Sequence, residues 1–135
     1  GYLCVEGMLD GKPTAVLLTR GDRYAAELLE ELRERTPGIQ ILCAGKLPSG
    51  TAEKLSLRDA LTPAERRGRG NAYARGGWWL HDRILTDTTL TVIRADVFAR
   101  RDLLDPRSGT PLPTYRRQRY TGGIGRYFPI FLYIK

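Results

Sequence analysis

The chain has 135 residues, 41% of them hydrophobic, with seven Tyr and two Trp, a composition that builds one folded core and excludes a disordered polymer. Its formal net charge is +7, unevenly placed: residues 61–135 hold 14 of the 22 Lys+Arg but 6 of the 15 Asp+Glu, so this half carries the whole excess. No apolar run reaches the roughly 18 residues of a membrane span and no signal-peptide pattern is present, while Cys4 and Cys43, each in an apolar run, read as buried free thiols of a reducing compartment.

Residues 2–9 and 14–20 are apolar runs joined by Asp10-Gly11-Lys12-Pro13, and Asp-Gly between such runs predicts a hairpin. From Arg23 to Thr36, Ala25, Leu28, Leu29 and Leu32 recur at helical spacing opposite Glu27, Glu30, Glu31, Glu34 and Arg35, so an amphipathic helix is expected over about 22–36. Asp22 is its expected N-cap and Pro37-Gly38 its stop. Residues 39–43 form a short strand, parallel to the second if the crossover stays within one sheet. Thr62-Pro63-Ala64-Glu65 reads as a capping box opening a short helix, ended by Gly68 and Gly70. Residues 78–85 and 88–95 are expected to pair as a hairpin about Thr86-Asp87. Residues 96–104 read as a short helix capped by Asp96, and 127–134 as a closing strand whose Pro129 assigns it to an edge or bulge.

The fold class that follows is α+β: a single domain over 1–135 with a mainly antiparallel sheet, one long amphipathic helix and short helices packed on one face. A chain opening at Gly1 without Met reads as a module cut from a longer polypeptide, and no internal repeat is visible.

Eighteen of the basic residues are Arg, a usage that a GC-rich genome also produces, so their clustering is more informative than their number. The segment from Tyr115 to Tyr127 combines Arg116, Arg117, Arg119 and Arg126 with Tyr120, Tyr127 and three glycines. Guanidinium groups fork onto phosphate, rings seat unpaired bases and glycines let backbone amides approach an anion. The plainer interpretation is a solvated hairpin with its Tyr residues in the core. A second run holds Arg66, Arg67 and Arg69 among the glycines of 66–77; its composition resembles Arg-Gly-Gly RNA-binding segments, against the ordinary alternative of an exposed loop. Convergence of the two runs would form one groove.

His81, the sole histidine, is the candidate acid or base because imidazole titrates near neutrality, and Arg119 is its candidate phosphate partner in catalysis. Flanked by Trp79 and Arg83 on its predicted strand face, it could equally be structural. Two Cys and one His lack zinc spacing, Glu6, Asp10 and Asp22 match no metal-nuclease pattern, and neither a dinucleotide fingerprint nor a Walker sequence occurs, so no cofactor is expected. Arg20-Gly21-Asp22 spells an adhesion tripeptide at a strand-to-helix junction and is read as coincidence.

These residues point to a domain acting on nucleic acid, RNA ahead of DNA: a small metal-independent endoribonuclease of effector or toxin type, acting in the cytoplasm even where its parent chain is exported, with a small acidic inhibitor protein as partner. The alternatives are a non-catalytic RNA- or DNA-binding module and a protein-interaction domain for an acidic partner.

Overall fold

The computed structural model describes residues 2–21 and 23–135. Tyr2–Leu9 (β1) and Lys12–Arg20 (β2) pair antiparallel in the register Leu9 with Lys12. Their two-residue turn places Asp10 at φ 50° and Gly11 at φ 76°, the positive pair that suits the twist of a hairpin. Arg23–Arg35 (α1) follows; the expected cap Asp22 lies outside the described residues. The helix then returns the chain to Gln40–Lys46 (β3), parallel to β2.

Thr51–Lys54 (α2) and Leu57–Asp59 (β4) come next, then Thr62–Arg66 (α3), Ala72–Ala74 (β5), Gly77–Trp79 (β6) and Ile84–Asp87 (β7). Val92–Val97 (β8), a 3-10 turn at Arg101–Leu103, Tyr115–Arg116 (β9), Arg119–Tyr120 (β10) and Ile130–Ile134 (β11) complete the chain. The main sheet runs β1-β2-β3-β7-β4, beside the ribbons β5-β6, β8-β11 and β9-β10. Every named pairing except β2 with β3 is antiparallel. The result is an α+β fold of mostly strands and few helices, none of the described helices being long and apolar enough to cross a membrane.

The main core lies between α1 and one face of the sheet. Ala25, Leu29 and Leu32 of the helix pack with Ala15, Leu17, Ile41, Cys43 and Leu85 of the strands, so the 3.6-residue stripe of one element meets the two-residue alternation of the others. On the opposite face Ile130 and Ile134 of β11 share hollows with Leu18 and Ala44, and with Val16 and Leu42, respectively. A smaller cluster of Val97, Leu103 and Phe128, with Trp78 and Leu80 against it, supports the basic half.

Four sequence expectations are corrected. Residues 78–85 and 88–95 do not pair: β7 is buried at all four positions and hydrogen-bonds to β3 on one side and β4 on the other, leaving β8 to pair with β11. The Asp87 carboxylate instead accepts from Arg33 (2.9 Å) and from the Thr89 N–H (3.0 Å), which ends the strand. Thr62 is not a cap. It lies inside α3, whose cap position is Leu61, a side chain with no acceptor to offer, and the Glu65 carboxylate is held instead by Arg83 through two bonds of 2.6 and 2.8 Å. Asp96 opens no helix either; it is buried in β8 and paired with Arg67 at 3.3 Å, and the following residues make only the 3-10 turn. The closing strand starts later than expected, at Ile130, with Pro129 just outside it, accepting from the Phe98 N–H at 2.7 Å.

Both cysteines are free, Cys43 buried and Cys4 partly so. Burial pushes the Cys43 thiol up to about 11 from an ordinary 9.0. The unfolded chain therefore ionises this thiol first, and stability present below pH 9 is lost as pH rises toward 11, by about 2 kcal/mol. Urea unfolding of wild type and Cys43→Ala across pH 8–11 checks this: wild type should lose stability more steeply, and equal slopes would remove Cys43 as the cause.

Candidate nucleic-acid interface

Asn71 organises one part of the basic half. Its side chain is 0% exposed, and all four of its hydrogen-bonding positions are used. Nδ2 donates to Asp82 Oδ2 (2.5 Å) and to the Phe128 carbonyl (3.3 Å), while Oδ1 accepts from the N–H groups of His81 (2.8 Å) and Asp82 (3.2 Å). Its own N–H donates to the Trp79 carbonyl and its carbonyl accepts from the Phe128 N–H. One amide thus ties its own segment to residues 81–82, ten and eleven positions on, and to Phe128, 57 positions on, which is why residues 80–83 leave the strand geometry expected for them.

The consequence for His81 is direct. It occupies an exposed link rather than a strand face, and its ring lies edge-on to Tyr127 with centroids 5.9 Å apart. Tyr127 is fixed from the other side by a bridge to Ala72, and the Arg126 carbonyl accepts from the Tyr73 N–H. His81 and Tyr127 are therefore brought together, with Arg126 adjacent to Tyr127 in the chain. The ring neighbour of His81 is Tyr127, and Arg119 belongs to a separate ribbon.

That ribbon is β9-β10. Residues 113–120 are exposed without interruption, so the expected alternative with Tyr residues in the core does not hold for Tyr115 and Tyr120. These two stand directly opposite each other, centroids 6.1 Å apart, and Arg116 stands opposite Arg119. Arg117 and Gln118 form the tip. At the base, the Thr121 hydroxyl donates to the Pro113 carbonyl and the Thr121 N–H to the Thr114 carbonyl. A Cβ on Gly123 would stand 2.6 Å from the Leu112 carbonyl oxygen, so only glycine lets the ribbon's return strand pass so close. Arg116 pairs with Asp105 at 3.2 Å. The Arg107 N–H and then the Arg116 guanidinium hold the Asp105 carboxyl below its usual range.

The second basic run is not a simple loop. Ala72–Ala74 and Gly77–Trp79 pair across a turn at Arg75 and Gly76. Arg67 is committed to Asp96, whereas Arg66 and Arg69 are exposed at and beyond the end of α3. The link between the two runs is backbone pairing of Ala72 and Tyr73 with Arg126 and Tyr127; the structure gives no contact between Arg66 or Arg69 and the β9-β10 arginines.

Sequence reasoning missed three contributors: Asn71, Arg20 and Lys46. Arg20 and Lys46 are register partners at the carboxyl ends of the parallel strands β2 and β3, the end of such a sheet where ligands usually bind. A hollow of about 660 Å³ there is lined by Arg20, Gly45, Asp82, Leu18 and Ile130 among others. Gly45 has φ 124°, and a Cβ on it would sit 1.8 Å from the Thr19 carbonyl oxygen. The parallel pairing was a legible signal for this end of the sheet. Nothing in the sequence marked Asn71, whose role exists only through residues 81, 82 and 128. Among the described residues no three of His, Cys, Asp and Glu gather as metal ligands would.

Asn71→Ala should cost roughly 3 kcal/mol, since it strands two N–H groups, a carbonyl and a carboxylate in a buried place. Urea unfolding midpoints measure this, and an unchanged midpoint would show that Asn71 is not the organising contact.

No protein-family model matches the chain, and no curated protein does. A solved structure of humanized D. rerio TDP2, carrying 14 mutations, is similar with a TM-score of 0.57 and 11% sequence identity, over 99% of this chain and 60% of that one. The chain thus spans about three-fifths of that structure's length, and the likeness is one of fold.

Proposed function

We propose that this domain binds nucleic acid, RNA ahead of DNA, on its basic and aromatic C-terminal half. The observation that carries this reading is the β9-β10 ribbon, where Arg117 and Arg119 project into solvent without a carboxylate partner among the described residues, beside two exposed Tyr rings. Guanidinium groups held clear of carboxylates keep their full attraction for phosphate, and exposed rings beside them supply base-stacking surfaces. Arg126, next to Tyr127, and the side-by-side Arg20 and Lys46 are further phosphate contacts in this reading.

A second reading, endoribonuclease activity without metal, is favoured by the approach of the His81 ring to Tyr127. In that reaction the substrate 2′-hydroxyl attacks the adjacent phosphorus and His81 accepts its proton. The P–O5′ bond breaks, the leaving oxygen takes a proton from water, and a 2′,3′-cyclic phosphate remains. The protein would be a toxin-type effector acting in the cytoplasm, restrained by a small acidic inhibitor.

Anisotropy of a labelled 20-nucleotide RNA tests the binding reading. Arg117→Ala with Arg119→Ala should weaken binding at least tenfold at low salt and flatten the log–log salt slope by about one to two, as lost phosphate contacts release fewer counterions. An unchanged slope would place the site elsewhere. For the second reading, RNA cleavage in the presence of chelator should occur with wild type and vanish in His81→Ala; intact RNA with wild type leaves binding alone.

A further inference from the structure

The β9-β10 ribbon breaks local rules of hairpin design in two places at once. Its central turn residues, Arg117 at φ 50° and Gln118 at φ 65°, both hold positive φ without being glycine, a pairing of dihedrals for which Asn-Gly is the unstrained choice. The chain uses that choice elsewhere in kind: Asp10-Gly11 closes the β1-β2 hairpin and Arg75-Gly76 the β5-β6 hairpin, each with glycine at the second position. Directly behind the tip, Arg116 and Arg119 are cross-strand partners, a like-charge opposition that destabilises a ribbon. Asp105 answers Arg116 only.

Burial does not compensate. Tyr115 and Tyr120 remain 66% and 65% exposed, their rings meeting each other along an edge. Local strain, unmet charge and bare aromatic surface in one projecting element mark a place shaped for a partner rather than for stability. That partner is anionic and has flat apolar faces to offer. In a duplex the base faces are already stacked and only their edges are accessible, whereas an unpaired strand presents both faces and phosphates to the same ribbon.

We propose that the β9-β10 ribbon reads single-stranded nucleic acid. Tyr115 and Tyr120 seat unpaired bases, Arg117 and Arg119 hold the flanking phosphates, and Gln118 at the tip reaches base edges. This rests on the nucleic-acid reading above and narrows it to unpaired strands.

The test uses a fluorescent 16-nucleotide 2′-O-methyl RNA, which has no free 2′-hydroxyl and so survives cleavage by 2′-hydroxyl attack, alone and annealed to its complement. Wild type should bind the single strand at least tenfold more tightly than the duplex. Tyr115→Ala with Tyr120→Ala should lower single-strand affinity by about tenfold per ring and Tyr→Phe at both positions should restore it, since stacking needs the ring and not the hydroxyl. Arg117→Asn with Gln118→Gly should raise Tm by a few degrees as the turn relaxes, while single-strand affinity falls several-fold. Equal affinity for strand and duplex, or turn and Tyr→Ala variants that bind the strand like wild type, would overturn the ribbon's role and leave the broader nucleic-acid reading standing. Failure of wild type to bind either form would sink both. All these side chains are exposed, and the melting curve of each variant verifies that it folds.

Discussion

Asn71 is fully buried and spends two donors and two lone pairs on two other pieces of chain, residues 81–82 and Phe128. An amide with this many partners in a low-dielectric place is costly to move, because each displaced group loses a hydrogen bond that water cannot replace. It therefore acts as a fixed point. The β5-β6 ribbon, the link carrying His81 and Asp82, and the segment from Arg126 to Phe128 are positioned relative to it, and the approach of His81 to Tyr127 is one result. Phe128, 2% exposed, extends the same junction into the small apolar cluster with Val97 and Leu103.

The main sheet depends on charge in a different way. Arg33 of α1 reaches across the core edge to the Leu55 carbonyl (2.7 Å) and to Asp87 at the end of β7, fastening helix to sheet where the apolar contacts end. Arg83, just before β7, gathers Glu65 and Asp59. Hydrogen bonding to Arg83, above all, holds the Glu65 carboxyl below its usual range. These arginines are structural. Their guanidinium groups are taken by carboxylates, and they contribute little to the outward field.

The distinction sorts the basic residues of the C-terminal half. Arg67, Arg83, Arg100 and Arg116 are matched to carboxylates, whereas Arg117 and Arg119 at the ribbon tip are not matched among the described residues. A net charge says only that a polyanion is attracted; the pattern of internal pairing decides which surface the polyanion meets. Within the projecting ribbon Asp105 takes Arg116, while Arg117 and Arg119 stay open, among the described residues, beside the exposed rings of Tyr115 and Tyr120.

The amino-acid sequence by itself determined the elements whose causes are local. The first hairpin follows from Asp10-Gly11, the stripe of Ala25, Leu29 and Leu32 from helical spacing, and the mixed α+β class from the order of apolar runs; the basic cluster at 116–119 was equally plain. Tertiary structure alone decided the rest. Residues 78–95 carry good strand propensity, but propensity does not name a partner, and β7 is paired on one side with β3 and on the other with β4, which leaves no edge for β8. Thr62 and Asp96 fit local capping patterns, yet Glu65 and Asp96 form ion pairs with Arg83 and Arg67, contacts between residues far apart in the chain. Asn71 had no visible signal because its side-chain bonds go to residues 81, 82 and 128, none of them within one helical turn or a tight turn of it. Short-range steric and periodic preferences are written along the chain, whereas hydrogen-bond and charge partnerships are settled only when distant segments compete for the same donor or acceptor.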